Sequence, residues 1–327
     1  MIPGLLVSGA AVAVLLAMAD PARALEVLLA ARPTELALSV VVFAVALTGR
    51  AAASRQLVDG RVGLGGAFAA LNIGFLVNNL LPLRLGEGVR AAVLGRKAGL
   101  GIVGGATAVA AERLIDLVLV ATIIVAGLLA VGVDTAWTPA LAAVVFSLLG
   151  VSTLVVVARF RHVLASLLEK TFTNRPRLAR LIPRLTEALD GLAQPGRLAR
   201  AALILAASWA LAVVFFWLVL RAFIPAAPLS WATFGLGVMA FGIALPSSPG
   251  AIGVYEAAWV GALVLCGADP ADSLAFAVAA HALTFSITSL CGLVSLFREV
   301  PDGTGVIQRA RQLLSDSSTP TTDETAP

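Results

Sequence analysis

The chain has 327 residues, of which 59% are hydrophobic and only 13% charged, and its mean hydropathy is +0.97. Soluble domains run at about 45–50% apolar and about 25% charged, so a soluble globular enzyme is excluded and an integral membrane protein is indicated. Formal net charge is +4 with pI ≈ 9.8. In a membrane protein that excess belongs first to cytoplasmic loops rather than to nucleic acid, and no basic stripe carries the interleaved aromatics of a nucleic-acid face.

Apolar segments of spanning length run over about 3–19, 34–53, 107–132, 138–158, 199–222 and 271–297. Met1–Ala19 ends in Ala17-Met18-Ala19, which resembles a signal-peptidase site. Its start carries no Lys or Arg, however, so the segment reads as a retained first span. Pro, Gly or charge punctuates the gaps, as at Asp20-Pro21, Asp134 and Asp269-Pro270.

The segment 159–200 holds Arg159, Arg161, Lys170, Arg175, Arg177, Arg180, Arg184, Arg197 and Arg200 and is therefore expected inside. Within it Leu178, Leu181, Ile182, Leu185, Leu189 and Leu192 fall at helical spacing, the pattern of an amphipathic helix on an anionic leaflet. Arg50, Arg55 and Arg61, then Arg96 and Lys97, also fall inside, which places both termini in the cytoplasm of an inner (plasma) membrane. Residues 302–327 are rich in Ser, Thr, Asp and Pro and read as a disordered cytoplasmic tail.

Six spans of about 20 residues need roughly 120 positions, whereas 59% of 327 is roughly 193. The surplus sits in two further apolar stretches, about 66–96 and 231–266. Each has both flanks on one side, and each is broken midway, at Asn78-Asn79-Leu80-Leu81-Pro82 and at Pro246-Ser247-Ser248-Pro249-Gly250. Both read as re-entrant helical hairpins, since broken backbone at membrane depth is tolerated only inside protein or along a wet cavity. The expected fold is an all-α polytopic membrane protein with six spanning helices and two re-entrant hairpins. It forms an inverted-topology repeat of residues 1–133 and 134–301, an arrangement common in secondary transporters. Reading each hairpin as two short full spans is the alternative.

Charge inside an apolar domain marks the candidate chemistry. Arg84, Glu87 and Arg90 recur at steps of three and would share a helix face, a net positive stripe fit for phosphate. Glu112-Arg113-Leu114-Ile115-Asp116 places Arg113 and Asp116 to pair and Glu112 and Asp116 on one face. Around the second break, a helix starting near Gly250 would offer free N–H groups to an anion, with Ser247 and Ser248 as hydroxyl donors. Glu256, a lone carboxylate in apolar sequence, could carry a proton or pair with an arginine of the first hairpin. His281, deep in the last span, could relay protons or make a helix–helix hydrogen bond. Asn78, Arg84, Glu87, Arg90, Arg113, Ser247, Ser248 and Gly250 are thus substrate-binding candidates, and Glu112, Asp116, Glu256 and His281 proton-coupling candidates. Cys266 and Cys291 read as buried hydrophobes, and no spacing suggests a metal or other cofactor.

These residues resemble the flippase-like membrane family named for the transmembrane region of lysylphosphatidylglycerol synthase. Its motifs match Asn78, Pro82, Arg84, Gly86, Glu87 and Arg90; Glu112, Arg113 and Asp116; Pro246, Pro249, Gly250, Gly253 and Glu256; and His281. The resemblance implies movement of an anionic phospholipid or polyprenyl-phosphate-linked headgroup across the bilayer. Larger members carry a soluble aminoacyl-transferring domain; here a short polar tail follows the last span, so transfer activity is not expected. Two enzymatic alternatives are a membrane polyprenyl diphosphate hydrolase, with Ser248 and His281 as its reacting pair, and a lipid-linked glycosyltransferase. The latter's usual acidic residues would have to come from the scattered Asp59, Asp134 and Asp190.

Overall fold

A computed structural model describes residues 2–18, 20–81, 84–132, 194–243 and 248–299, with isolated positions between 145 and 190. Among these residues the secondary structure is entirely helical: α1 (Ile2–Met18), α2 (Pro21–Leu29), α3 (Pro33–Leu57), α4 (Leu64–Leu80), α5 (Gly86–Lys97), α6 (Gly101–Val131), α7 (Pro195–Phe223), α8 (Leu229–Gly242), α9 (Val254–Leu265) and α10 (Pro270–Glu299). Four helices, α3, α6, α7 and α10, are long and apolar enough to cross a membrane, which makes this a helical membrane protein. Apart from those isolated positions, the expected span at 138–158 and the amphipathic segment up to residue 193 lie outside the described residues, as does the tail 302–327.

Local chemistry explains the boundaries. Asp20 Oδ1 accepts from the Ala22 amide at 2.9 Å with Pro21 opening the first turn, and this cap starts α2, a helix the sequence reading treated only as a break. Asp269 Oδ1 does the same for Ala271 at 2.9 Å ahead of α10. Proline in the first turn, where its missing N–H costs nothing, opens α2, α3 and α7. Gly132, with φ +73°, closes α6 in the left-handed conformation that L side chains resist.

Where lipid removes the hydrophobic drive between helices, close packing holds them together. α5 meets α6 where Gly95 lies against the Gly101 carbonyl and Gly105 against the Ala91 carbonyl, contacts that leave no room for a Cβ. α6 meets α8 in the same way, Gly127 on the Phe234 backbone and Gly237 on Ile124. An aromatic chain from α7 through α9 to α10 fills the second half: Phe215, Phe216, Trp259 and Phe276 have successive ring centroids 4.7, 4.8 and 4.9 Å apart. α3 and α7 form the largest helix pairing; α4 packs on α10, and α6 on α8.

Both interrupted stretches are present as pairs of short helices, α4 with α5 and α8 with α9. The second differs from expectation. No helix starts at Gly250; Pro249–Ala251 forms a single tight turn with Gly250 at φ +67°, and α9 begins at Val254.

Candidate functional site

α3, α5 and α6 bring three guanidiniums and three carboxylates together. Glu112, whose side chain is 1% exposed, is held by all sides: Oε1 accepts from Arg50 Nη2 at 3.0 Å, and Oε2 accepts from Ser54 Oγ at 2.9 Å and from Arg90 Nη2. Arg90 Nη2 also donates to Ser54 Oγ at 2.7 Å. Asp116, the central residue of α6, takes Arg50 Nη2 at 2.6 Å and Arg113 Nη1 at 3.1 Å on Oδ2, while its Oδ1 accepts from the Trp209 indole of α7 at 2.8 Å. Arg113 Nη2 reaches Glu87 Oε1 at 2.7 Å. Buried charges are stable only when paired and hydrogen-bonded, and here four helices supply the partners.

Asn78, at the end of α4, accepts from the Gly86 amide at 2.8 Å and so caps the start of α5. Gly86 is indispensable there, since a Cβ would collide with the Gly74 carbonyl and the Asn78 side chain. Pro82 lies outside the described residues. Arg84 is not on the Glu87–Arg90 face as its spacing suggested: it precedes α5 with φ +54°, a left-handed conformation that costs a non-glycine residue about 1–2 kcal/mol. Glu87 and Arg90 do share a face, with Arg90 Nη1 3.9 Å from Glu87 Oε2. Arg84 makes no ion pair among the described residues. Its Nη2 donates instead to the carbonyl of Ile243, the residue that follows α8. The first break therefore touches the second.

Other contacts join the same two regions. Asn79 Nδ2 donates to Thr288 Oγ1 at 3.0 Å and Ser289 Oγ at 2.9 Å on α10, and the turn Pro249–Ala251 packs on α4. Ser247 lies outside the described residues. The Ser248 amide donates to Ser8 Oγ of α1 at 3.1 Å and its hydroxyl to the Ile252 carbonyl at 3.1 Å. Gly250 sits beside the Phe285 ring and the Asn79 carbonyl.

Among the described residues Glu256 pairs with no arginine. Its Oε2 accepts from the Gly253 amide at 2.7 Å, and its Oε1 lies 2.5 Å from His281 Nδ1. Tyr255 stacks on the His281 ring at 4.3 Å. The Gly253 amide ahead of α9 is thus taken by the protein's own carboxylate, as the Gly86 amide of α5 is by Asn78.

The expected residues fall into two groups. Glu87, Arg90, Glu112, Arg113 and Asp116 form one network; Glu256 and His281 form a second; Arg84 stands where the broken stretches meet. Sequence reasoning missed Arg50, Ser54 and Trp209. Arg50 counts among the topology-marking arginines, yet it lies inside its own apolar segment and four residues before Ser54, spacing that puts both on one helix face. Trp209 carried no such signal. Among the described residues no group of three potential ligands could hold a metal ion.

The order and placement of these motif residues can be set against known families. The family model of the lysylphosphatidylglycerol synthase TM region matches residues 1–292. The chain belongs to this family. The match takes in both interrupted stretches and every motif residue from Asn78 to His281. No curated protein and no solved structure matches the chain.

Proposed function

We propose that this member of the lysylphosphatidylglycerol synthase TM-region family is a flippase-like transporter. It would move an anionic phospholipid or polyprenyl-phosphate-linked lipid headgroup across the inner membrane, with no catalytic step of its own. The observation that carries this reading is Arg84: an exposed guanidinium with no ion pair among the described residues, in a strained backbone conformation, bonded across to Ile243 where the two interrupted stretches meet. Strain of this kind persists at functional positions when the surroundings over-determine it. A positive charge between two broken helices suits an anionic headgroup whose tail stays in lipid.

The helix contacts support an inverted repeat with re-entrant hairpins. Matching α3, α4, α5 and α6 in order to α7, α8, α9 and α10 turns the α4–α10 pairing into the α8–α6 pairing. It also turns α5–α6 into α9–α10 and α3–α4 into α7–α8, and leaves α3–α7 unchanged. The arginine distribution then sets the two halves in from opposite sides, with both termini cytoplasmic. Glu256–His281 and the Glu112–Asp116 network are the candidate proton-coupling groups. The hydrolase alternative draws little support, because the Ser248 hydroxyl donates to the Ile252 carbonyl and not to His281.

The test is reconstitution into liposomes with fluorescent phosphatidylglycerol, phosphatidylethanolamine and a polyprenyl-phosphate-linked sugar. Accelerated transbilayer movement of at least one anionic lipid, lost in Arg84→Gln, is expected. A folded protein that moves none of them overturns the proposal.

A further inference from the structure

The charge network leaves polar atoms unsatisfied, Arg50 Nε and Arg113 Nε among them, but only at one point among the described residues do a bare donor and a bare acceptor face each other. Arg90, with a side chain only 2% exposed, keeps Nε and Nη1 buried without a hydrogen-bond partner. Glu87 Oε2, 3.9 Å from that Nη1, is also buried and unpartnered. A buried charge-assisted hydrogen bond is thus left unmade although both halves are present, and leaving such groups bare is costly. What holds Glu87 away is Arg113, 2.7 Å from its other oxygen and 37% exposed. Arg84, also exposed, lies within electrostatic reach of both Arg113 and Glu87.

Resting on the transport reading above, we infer that Glu87 stands in for the headgroup and is displaced by it. In the resting protein its carboxylate neutralises Arg113. An incoming phosphate takes Arg113 and Arg84, and Glu87 turns by about 1 Å onto the waiting Arg90, converting a 3.9 Å approach to hydrogen-bond distance. No charge is then left bare: the anion gained by Arg113 and Arg84 replaces the one that Arg90 receives.

The same arrangement selects the ligand. Arg50, Arg90 and Arg113 pair with Glu87, Glu112 and Asp116, and Arg84, within electrostatic reach of Glu87 and Arg113, leaves one positive charge over. A phosphodiester carries one negative charge and balances it. A phosphomonoester, at about −1.5 to −2 near neutral pH, overcharges the site. The substrate class is therefore a singly charged phosphodiester, either a glycerophospholipid or a prenyl-phosphoryl sugar.

The experiment measures binding by the full-length protein in detergent at pH 8. The probes are dihexanoyl phosphatidylglycerol, a farnesyl-phosphoryl hexose (both diesters) and dihexanoyl phosphatidate (a monoester). The wild type is expected to bind a diester at least about tenfold more tightly than the phosphatidate, a gap of about 1.4 kcal/mol; the tighter diester names the source. Glu87→Gln removes both the competitor and one negative charge, so it is expected to bind the diester more tightly than the wild type does and to shift preference toward phosphatidate. Loss of an ordinary structural contact would not tighten binding. Should Glu87→Gln not fold, Glu87→Asp, too short to hold Arg113, is expected to tighten binding in the same direction. A wild type that binds a diester while the folded variant binds it no more tightly overturns the exchange and leaves the transport reading standing. A folded wild type that binds none of the probes overturns the transport reading itself.

Discussion

Arg50 of α3 and Asp116 at the centre of α6 are joined at 2.6 Å, and the same guanidinium reaches Glu112 one turn away at 3.0 Å. One cation thus fixes the register of two long helices at a depth where an unpaired charge would be expensive. Arg90 closes the other side of Glu112 from the first interrupted stretch. Stability and the candidate site share these side chains, so their substitution should read out in both.

Glu112→Ala leaves Arg50 and Arg90 facing each other with no shared carboxylate. Breaking a buried pair from one side costs about 3–5 kcal/mol, so a large fall in folded yield and melting temperature is expected. The combined replacement Arg90→Met with Glu112→Leu removes both charges and is expected to recover part of that loss. Size-exclusion profiles and thermal melts in detergent check this.

Trp209→Phe keeps the ring but removes the indole N–H that donates to Asp116 Oδ1 at 2.8 Å. The expected destabilisation is about 1–3 kcal/mol, the range for leaving a buried acceptor short of a partner. Thermal melts of wild type and variant compare directly. Trp209→His, which can restore a ring N–H, should lose less.

Gly86→Ala and Gly88→Ala separate packing from helix propensity. A Cβ at Gly86 meets the Gly74 carbonyl and Asn78, whereas nothing lies within 4 Å of one at Gly88. Gly86→Ala is expected to abolish folding or splay α4 from α5. Gly88→Ala should be neutral or stabilising by up to about 1 kcal/mol, the propensity difference between the two residues. Expression level and melting temperature decide it.

Arg84→Gln should leave stability within about 0.5 kcal/mol of the wild type, as substitutions at exposed positions usually do. The proposed transport should fall at least about tenfold if Arg84 receives the headgroup, since one charge-assisted hydrogen bond is worth roughly 1.5–3 kcal/mol. A liposome translocation assay run beside a thermal melt tests both halves of this expectation.

His281→Gln keeps a hydrogen-bonding group near Glu256 Oε1 but cannot accept a proton. If the pair couples protons to lipid movement, transport by this variant should lose its response to an imposed pH gradient while the melting temperature changes little. Glu256→Gln should lose the response too. It should also melt lower, because its carboxylate holds the Gly253 amide at 2.7 Å ahead of α9.

Composition and the spacing of charge were enough to identify a helical membrane protein, to place α3, α7 and α10 within four residues and α6 within six, and to find both interrupted stretches. All of these follow from local rules: apolar length, proline and glycine at the ends, arginine between spans. The Arg113–Asp116 pair was legible because three residues on one helix set its geometry. What faces what across the molecule was not. The network needs Arg50 from 62 residues before Glu112 and Trp209 from 93 residues after Asp116, and no periodicity links such distant positions. Glu256 illustrates the limit. The sequence marked it as a buried carboxylate in need of a partner, and helix packing alone decided that the partner is His281 of α10 rather than an arginine of the first broken stretch. Buried charge has to be satisfied, which is a property of the residue and visible in the chain; which group satisfies it depends on helices brought together by close contacts at glycine, and only the tertiary structure contains that.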